Sequence, residues 1–219
     1  MGQGRQAAQG RGVAAAVPGV RRAGRSADAI DALLHAARDI EFVWTGLEGD
    51  RAHLRDTAIV VSGLFAQAER SVLVSSYVVY QGARVFESLG CRLVERPELR
   101  VRLFLHVGRK ERDTRHDSEI LREFVTRFAR EWPWARKPEV YYDPRSLALD
   151  ASQRAAWHAK CAVVDDEVAF VSSANFTEWA QQRNVEAGVL VRSARFAVQL
   201  RMQFEALIAT GQVRRVPGL

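Results

Sequence analysis

Hydrophobic positions recur along this chain with two different periods. Spacings of three and four residues are typical of helices with one buried face. They predict helices over residues 26–38, 56–70, 83–92, 118–132 and 193–208. Short runs of β-branched and aromatic residues predict strands over residues 41–45, 71–77, 100–107, 140–142, 158–164, 168–171 and 185–191. Because helices and strands alternate, the pattern favours an α/β sandwich built on a mixed sheet.

The composition changes sharply after the first 27 residues. The chain has 219 residues, which suits one domain, and residues 1–27 are rich in Gly, Ala and Arg, with five arginines and no acidic residue. We therefore expect a disordered basic arm over residues 1–27 and one folded domain over residues 28–219. The arm could add salt-sensitive affinity for nucleic acid, or it could be an inert extension. Of the net charge of +6, the arm accounts for five, so the basic balance does not by itself identify a nucleic-acid-binding domain.

Cysteine usage and hydropathy limit the class of protein. Cys91 and Cys161 lie far apart, without a C-x-x-C pair or a Cys/His cluster, so neither a disulfide framework nor a zinc site is indicated. No apolar run approaches the ~18 residues of a membrane span, and no signal-peptide core is evident. The expected location is the cytoplasm, without a membrane partner.

Six polar residues stand out among the apolar strands of the last third of the chain. They are His158, Lys160, Asp165, Ser173, Asn175 and Glu186. On a strand, a spacing of two puts the first pair on one face, and the hydroxyl and amide leave the returning strand with the same spacing. These groups suit a phosphodiester, because one nitrogen can attack phosphorus while the others hold its oxygens.

The spacing H-x-K-x4-D-x6-(G/S)-S-x-N resembles the signature of the phospholipase D superfamily, with Ser172 where the family usually has glycine. The resemblance implies an αβα sandwich with a mixed, mostly parallel sheet. Each chain would carry one HKD motif, named after His158, Lys160 and Asp165, and therefore one half of an active site. It also implies a metal-independent phosphodiesterase. Asp165, at the turn between the two strands, is expected to be structural, either pinning the turn or pairing with an arginine.

The resemblance assigns a role to each of the other five residues. His158 would attack phosphorus and carry a phosphohistidine intermediate. Lys160, Ser173 and Asn175 would hold the nonbridging oxygens and neutralise the charge that builds up in the transition state. Glu186 would accept the other imidazole N–H and fix its tautomer. No metal ion or other cofactor is expected, since lysine and histidine supply the electrophilic and acid functions.

The motif occurs once in the chain, whereas the leaving oxygen requires a second histidine as its acid. The resemblance to single-motif nucleases therefore implies a two-fold homodimer in which both copies complete one shared site. Short sequence segments at residues 43–46, 55–57 and 175–186 also resemble the phospholipase D-like component, DrmC, of the DISARM anti-phage defence systems. That resemblance implies other defence proteins as partners.

Several further residues have two interpretations. Arg109 and Lys110 follow a predicted strand and could bind a phosphate backbone, or they could belong to a solvated loop. Trp157 could stack on a base, or it could have a lid or core role. Tyr77 and Tyr80 could line a cleft or pack in the core. Three functions stay open: a nuclease acting on DNA, a phospholipase or phosphatidyltransferase, and a DNA-binding regulatory subunit of a defence complex.

Overall fold

The computed structural model describes residues 39–47 and 56–219. The expected basic arm over residues 1–27 and the predicted helix over residues 26–38 lie outside the described residues.

Strands and helices alternate through the described residues, as the hydrophobic pattern predicts. The strands are β1 (Ile40–Thr45), β2 (Ser71–Ser76), β3 (Val79–Tyr80), β4 (Arg100–Leu105), β5 (Glu139–Tyr142), β6 (Cys161–Val164), β7 (Val168–Ser172), β8 (Phe176–Thr177), β9 (Glu186–Arg192) and β10 (Arg214–Arg215). The helices are α1 (Thr57–Ala66), α2 (Gly82–Val85), α3 (Glu87–Glu95), α4 (Asp117–Glu131), α5 (Glu178–Gln182) and α6 (Ala194–Ala209). Two short 3₁₀ helices, Pro144–Leu147 and Ala151–Gln153, lie between β5 and β6.

Eight strands form one sheet in the order β1-β9-β7-β6-β2-β4-β5-β10, and β3 pairs with β8 separately. The expected mixed sheet is confirmed, but the expectation that its strands are mostly parallel is wrong. Only β2–β4 and β4–β5 are parallel, whereas the other five neighbouring pairs of this sheet are antiparallel. The tight turn at Asp165 and Asp166, both with positive φ, reverses the chain between β6 and β7, while parallel neighbours require a longer crossover.

The sheet has a hydrophobic core on each face, because successive strand residues point to opposite sides. Helices α1, α3 and α4 cover one face, where Phe65, Leu103 and Phe128 belong to the larger buried cluster. Helix α6 covers the other face, where Phe104 and Phe204 belong to the smaller cluster. Helices on both sides of a mixed sheet confirm the α/β sandwich.

Polar caps explain where the main helices begin. Asp56 precedes α1 and its carboxylate accepts from the backbone N–H of Ala58 at 2.7 Å. His116 precedes α4 and forms a capping box with Glu119, so this helix begins slightly earlier than the sequence predicts. Buried Phe86 divides the helix predicted over residues 83–92 into α2 and α3.

The ends of several strands of the large sheet meet at one edge. β2, β4 and β7 end there, whereas β6 and β9 begin there, as the strand registers require. The segments beside these strand ends therefore lie together, and we call this place the site edge. It contains Tyr77, His106, residues 158–160, residues 173–175 and Glu186.

No described helix combines the length and the apolar character that crossing a membrane requires.

Candidate active site

His158 and Lys160 lie at the site edge, immediately before β6 rather than within it. Backbone contacts on both sides hold this segment. The backbone N–H of Ser172 donates to the Lys160 carbonyl at 3.1 Å, and the Ser75 hydroxyl donates to the Ala159 carbonyl at 2.8 Å. The segment of residues 158–160 is thus fixed between the ends of β2 and β7, although it makes no regular ladder.

The two motif residues have different environments. His158 is exposed, whereas Lys160 is 7% exposed, and its ammonium donates to the His158 carbonyl at 2.8 Å. Burial lowers the pKa of Lys160, and the nearby Glu186 carboxylate opposes that shift. An ammonium so desolvated interacts strongly with any anion that approaches it.

Ser173 and Glu186 form a hydrogen-bonded unit beside this lysine. The Ser173 hydroxyl donates to the Glu186 carboxylate and accepts from the Ala187 backbone N–H at 3.1 Å. The Asn184 side-chain amide donates to the other carboxylate oxygen at 3.1 Å. Within the described part of the chain, Glu186 therefore orients Ser173 rather than bonding to His158, which differs from the arrangement that the resemblance implies.

Asn175 brings an amide to the same edge. Its backbone carbonyl accepts from Thr177 N–H at 2.8 Å, and the following Phe176 N–H donates to the Ser76 hydroxyl at 3.1 Å. Its side-chain Oδ1 is buried and has no hydrogen-bond partner among the described residues. Rotating the amide by half a turn would put its NH₂ group there instead, since the two orientations occupy the same space. A buried amide end without a partner is suited to meet a polar ligand.

Two aromatic rings outside the motif lie at the site edge, and one of them is beside His158. The Tyr77 and His158 ring centroids are 5.5 Å apart, and Tyr77 stacks on His106 with centroids 4.7 Å apart. The His106 Nδ1 accepts from the backbone N–H of Trp157 at 3.4 Å. Burial lowers the pKa of His106, with Asp143 opposing the shift, so this imidazole is suited to stay neutral and accept that bond.

Gly108 leaves room for the His106 ring, because a Cβ at Gly108 would lie 2.4 Å from His106 Nε2. The signal that could have identified His106 is its position just after a buried strand at the edge where strand ends converge.

Asp165 lies at the opposite end of β6 from the site edge. Its carboxylate accepts from the backbone N–H groups of Glu69, Arg70 and Ser71 at 2.8, 2.6 and 2.8 Å. The Arg70 guanidinium also donates to the Asp165 carbonyl at 2.6 Å. These contacts join the β6–β7 turn to the start of β2, far from the other motif residues along the strand.

Arg109 is fully engaged with its own loop. The guanidinium is 1% exposed, donates to the Leu147 carbonyl at 2.7 Å, and pairs with Asp117. We therefore assign Arg109 to the fold rather than to substrate binding. Lys110, by contrast, extends into solvent and its ammonium lies 3.6 Å from Glu123.

Trp157 packs in the smaller core, although it directly precedes His158. Its ring centroid lies 5.9 Å from that of Phe104, and its indole N–H donates to the Ser75 hydroxyl at 2.8 Å. The core interpretation of Trp157 therefore fits the structure better than base stacking.

The site edge thus carries an imidazole, a desolvated ammonium, a hydroxyl and an amide. Imidazole nitrogen can attack phosphorus, and the other three can donate to anionic oxygens. Across residues 39–47 and 56–219, His, Cys, Asp and Glu side chains form no group of three that could hold a metal ion.

Two solved structures with TM-scores above 0.5 show the same fold in distant proteins, and a third structure is similar with a lower score. NucT from Helicobacter pylori is 12% identical, with a TM-score of 0.51 over 78% of this chain and 96% of that chain. The phosphatidylserine synthase of Haemophilus influenzae Rd KW20 is 13% identical, with a TM-score of 0.52 over 80% of this chain and 39% of that chain. Nuc from Salmonella typhimurium, a phospholipase D family member, is 13% identical, with a TM-score of 0.48 over 80% of this chain and 96% of that chain.

No curated protein matches this sequence. The family model described as "Cardiolipin synthase, PLD-like domain" matches residues 61–208, which is more than half of the chain and includes every residue of the HKD motif. The chain therefore belongs to the phospholipase D-like domain family.

Proposed function

We propose that this protein is a metal-independent nuclease that cleaves phosphodiester bonds, DNA first among its substrates, through a covalent intermediate on His158. The observation that carries the proposal is the meeting of His158, Lys160, Ser173 and Asn175 at one edge of the sheet. The family supports the phosphodiesterase class, and the nuclease assignment is our own inference.

In the first step, an imidazole nitrogen of His158 attacks phosphorus. A P–N bond forms and the P–O bond to the leaving strand breaks. In the second step, water attacks phosphorus, the P–N bond breaks, and His158 is regenerated. Each step transfers one proton, which the leaving oxygen takes up in the first step and water gives up in the second.

Charge on the nonbridging oxygens increases during both steps, and fixed donors at the site edge would stabilise it. Lys160 supplies a desolvated positive charge, Ser173 a hydroxyl that Glu186 already orients, and Asn175 an amide. Glu186 would turn from Ser173 to the imidazole when substrate oxygens engage the serine. Such a turn reconciles the observed bond of Glu186 with its expected role as the acceptor for His158.

The leaving oxygen needs an acid, and we propose that His158 of the partner subunit supplies it in a two-fold dimer. His158 is exposed at the site edge, so a second copy can approach it. The two histidines would then exchange roles as acid and base, which predicts a bell-shaped dependence of the rate on pH.

The biological setting that we propose is anti-phage defence in the cytoplasm. The sequence segments at residues 43–46 and 175–186, which resemble DrmC of the DISARM systems, support this setting. Other defence proteins would then be partners of the dimer.

Cleavage of fluorescent DNA and RNA oligonucleotides in EDTA tests the proposal. Wild type should cut and His158→Ala should not. The matched control is His116→Asn, which changes another exposed histidine while keeping a good helix cap. Cleavage that persists in His158→Ala would refute the nucleophile, and cleavage lost in EDTA would refute metal independence.

Phospholipid transfer is the second candidate, because the matching family is described as cardiolipin synthase. Release of headgroup from phosphatidylglycerol vesicles by wild type, and not by His158→Ala, would replace the nuclease assignment with this one. Binding of DNA without any turnover would instead favour a regulatory subunit of a defence complex.

A further inference from the structure

An open groove leads away from the site edge, between the segment that joins β2 to β3 and helix α4. Its lining includes two tyrosines, four basic residues and one acidic residue. They are Tyr77, Tyr80, Arg109, Lys110, Arg127, Arg130 and Glu131. The Arg109 guanidinium is engaged by its own loop. The cavity volume of about 620 Å³ lies within the roughly 300–1,000 Å³ of ligand pockets, and the groove is open to solvent.

The groove is continuous with the proposed nucleophile. The Tyr77 ring is part of its lining and lies 5.5 Å from the His158 ring, centroid to centroid. His106 also lines the groove and stacks on Tyr77. A ligand in the groove would therefore pass directly over Tyr77 to reach His158.

Three of the basic side chains of the groove are available to an anion. Arg127 and Arg130 are exposed, and being three apart on α4 they share one face. Within the described part of the chain, neither takes part in an ion pair, and Arg127 lies over the Phe124 ring of its own helix. Lys110 is 74% exposed and its contact with Glu123 is a weak surface pair.

The acidic member of the groove is tied to the fold. The Glu131 carboxylate accepts from the backbone N–H of Gly82 at 2.6 Å, which joins the end of α4 to the start of α2. The groove therefore carries an excess of positive charge, although the chain beyond residue 27 is nearly neutral.

Exposed aromatic rings accompany this charge. Tyr77 is 36% exposed and Tyr80 is 55% exposed, and both lie on the wall opposite α4. Aromatic faces beside a row of cations are the combination that binds unpaired bases and their phosphates together. Paired bases in a duplex are stacked on one another and cannot present their faces to a tyrosine.

We propose that this groove binds a single strand of nucleic acid, with bases stacked on Tyr80 and Tyr77 and phosphates along Lys110, Arg127 and Arg130. The inference rests on the proposed nuclease function and adds its substrate class, single-stranded DNA or RNA. The strand enters along α4 and places a phosphodiester at His158.

The test is fluorescence polarisation of labelled oligonucleotides with the full chain carrying His158→Ala, so that binding is measured without cleavage. Single-stranded DNA, RNA of the same sequence and a hairpin duplex are compared at several salt concentrations. Tyr80→Leu keeps an apolar side chain but removes the stacking face. Arg127→Ala combined with Arg130→Ala removes the charge of α4, and Arg122→Ala is the matched control, an exposed arginine of the same helix outside the groove.

We expect Tyr80→Leu to weaken single-strand binding roughly 10-fold and to leave duplex binding unchanged. The double arginine variant should bind more weakly and lower the salt slope by about 0.7 for each phosphate that is no longer neutralised. Arg122→Ala should bind like the parent. Unchanged binding in the arginine variant, or equal weakening for duplex and single strand in Tyr80→Leu, would overturn the proposal.

Vesicles distinguish a membrane ligand from a strand. If vesicles of phosphatidylglycerol displace the strand where phosphatidylcholine does not, and this depends on Arg127 and Arg130, the groove serves an anionic lipid surface and the proposal is refuted.

The groove and the nuclease function can also fail separately. Groove-dependent binding without cleavage by the protein with His158 intact would refute the function alone. Cleavage that the groove variants leave unchanged in KM would refute the groove alone.

Discussion

Replacing Asp165 by asparagine should destabilise the domain without altering its chemistry. Asparagine tolerates the positive φ of 55° at this position, so the backbone of the turn is not strained. The substitution replaces one carboxylate oxygen by an NH₂ group. That oxygen now accepts from the Glu69 N–H, whereas the other accepts from Arg70 and Ser71. A donor would then face a donor.

The magnitude follows from these three bonds. Asp165 is only 9% exposed, so water replaces little of what is removed. The bond from Glu69 is lost, and a hydrogen bond to a charged acceptor contributes about 1.5–3 kcal/mol to stability. The other two bonds remain but become neutral, and a neutral bond contributes only about 1 kcal/mol. Because neighbouring bonds are not additive, we expect the free energy of unfolding to fall by about 3 kcal/mol. For a chain of this size that lowers Tm by roughly 6–12 °C.

The matched control is Glu167→Gln in the same turn. Glu167 pairs with Arg70 at 2.7 Å, but the two side chains are 64% and 63% exposed, so solvent screens the pair and it contributes little to stability. Urea denaturation of both variants, with cleavage assays at a temperature where both are folded, measures the difference. If Asp165→Asn kept the wild-type free energy of unfolding but lost kcat, Asp165 would act in the chemistry and the structural assignment would be refuted.

Three further outcomes are expected. Burial raises the pKa of Cys161 to about 12, so a thiol reagent near neutral pH should modify the exposed Cys91 alone. Titration should then find one reactive thiol per native chain and two after denaturation. Two rapidly reacting thiols in the native protein would contradict this. Burial lowers the pKa of Lys160, so its ammonium loses its proton below the usual ~10.4. Beyond the alkaline limb that the two histidines produce, kcat should therefore show a second fall at a pH below that value. The same fall in the residual activity of Lys160→Arg would show that another group titrates. A methyl group at Gly90 would lie 2.1 Å from the Trp134 indole, so Gly90→Ala should lower the free energy of unfolding by about 1–3 kcal/mol. Thermal denaturation measures this, and an unchanged Tm would contradict that packing.

The elements that periodicity specifies were predictable from the sequence. The stripe of Phe124 and Phe128 predicts α4, and the structure buries both residues against the sheet. The run after Lys160 likewise predicts a buried strand and a hairpin, which the structure contains as β6 and β7. Each of these signals is local, so a short window of sequence is sufficient to read it.

Strand direction was less accessible, because an apolar run is compatible with either orientation. β6 enters the sheet between β2 and β7, and only the long-range register, Ser75 opposite Cys161, shows that it runs antiparallel to β2. The sequence also extends the strand back to His158, because Ala159 continues the apolar pattern. In the structure the Ser75 hydroxyl donates to the Ala159 carbonyl, and the regular strand begins at Cys161.

The motif spacing was enough to collect the polar groups of the candidate site, but not their neighbours. Tyr77 and His106 follow two different strands, and their stacking beside His158 results from the parallel pairing of β2 with β4. No spacing in the sequence encodes that arrangement. The bond between Ser173 and Glu186 is likewise a product of β7–β9 pairing, which places the start of β9 beside the end of β7.

The stereochemical course at phosphorus tests the central claim most directly, since a covalent intermediate on His158 requires two displacements. A phosphorothioate oligonucleotide of one configuration is cleaved in ¹⁸O-labelled water with EDTA present, and the configuration of the product is determined. Two in-line displacements predict retention of configuration. Inversion would show that water attacks phosphorus directly, and His158 would then not be the nucleophile.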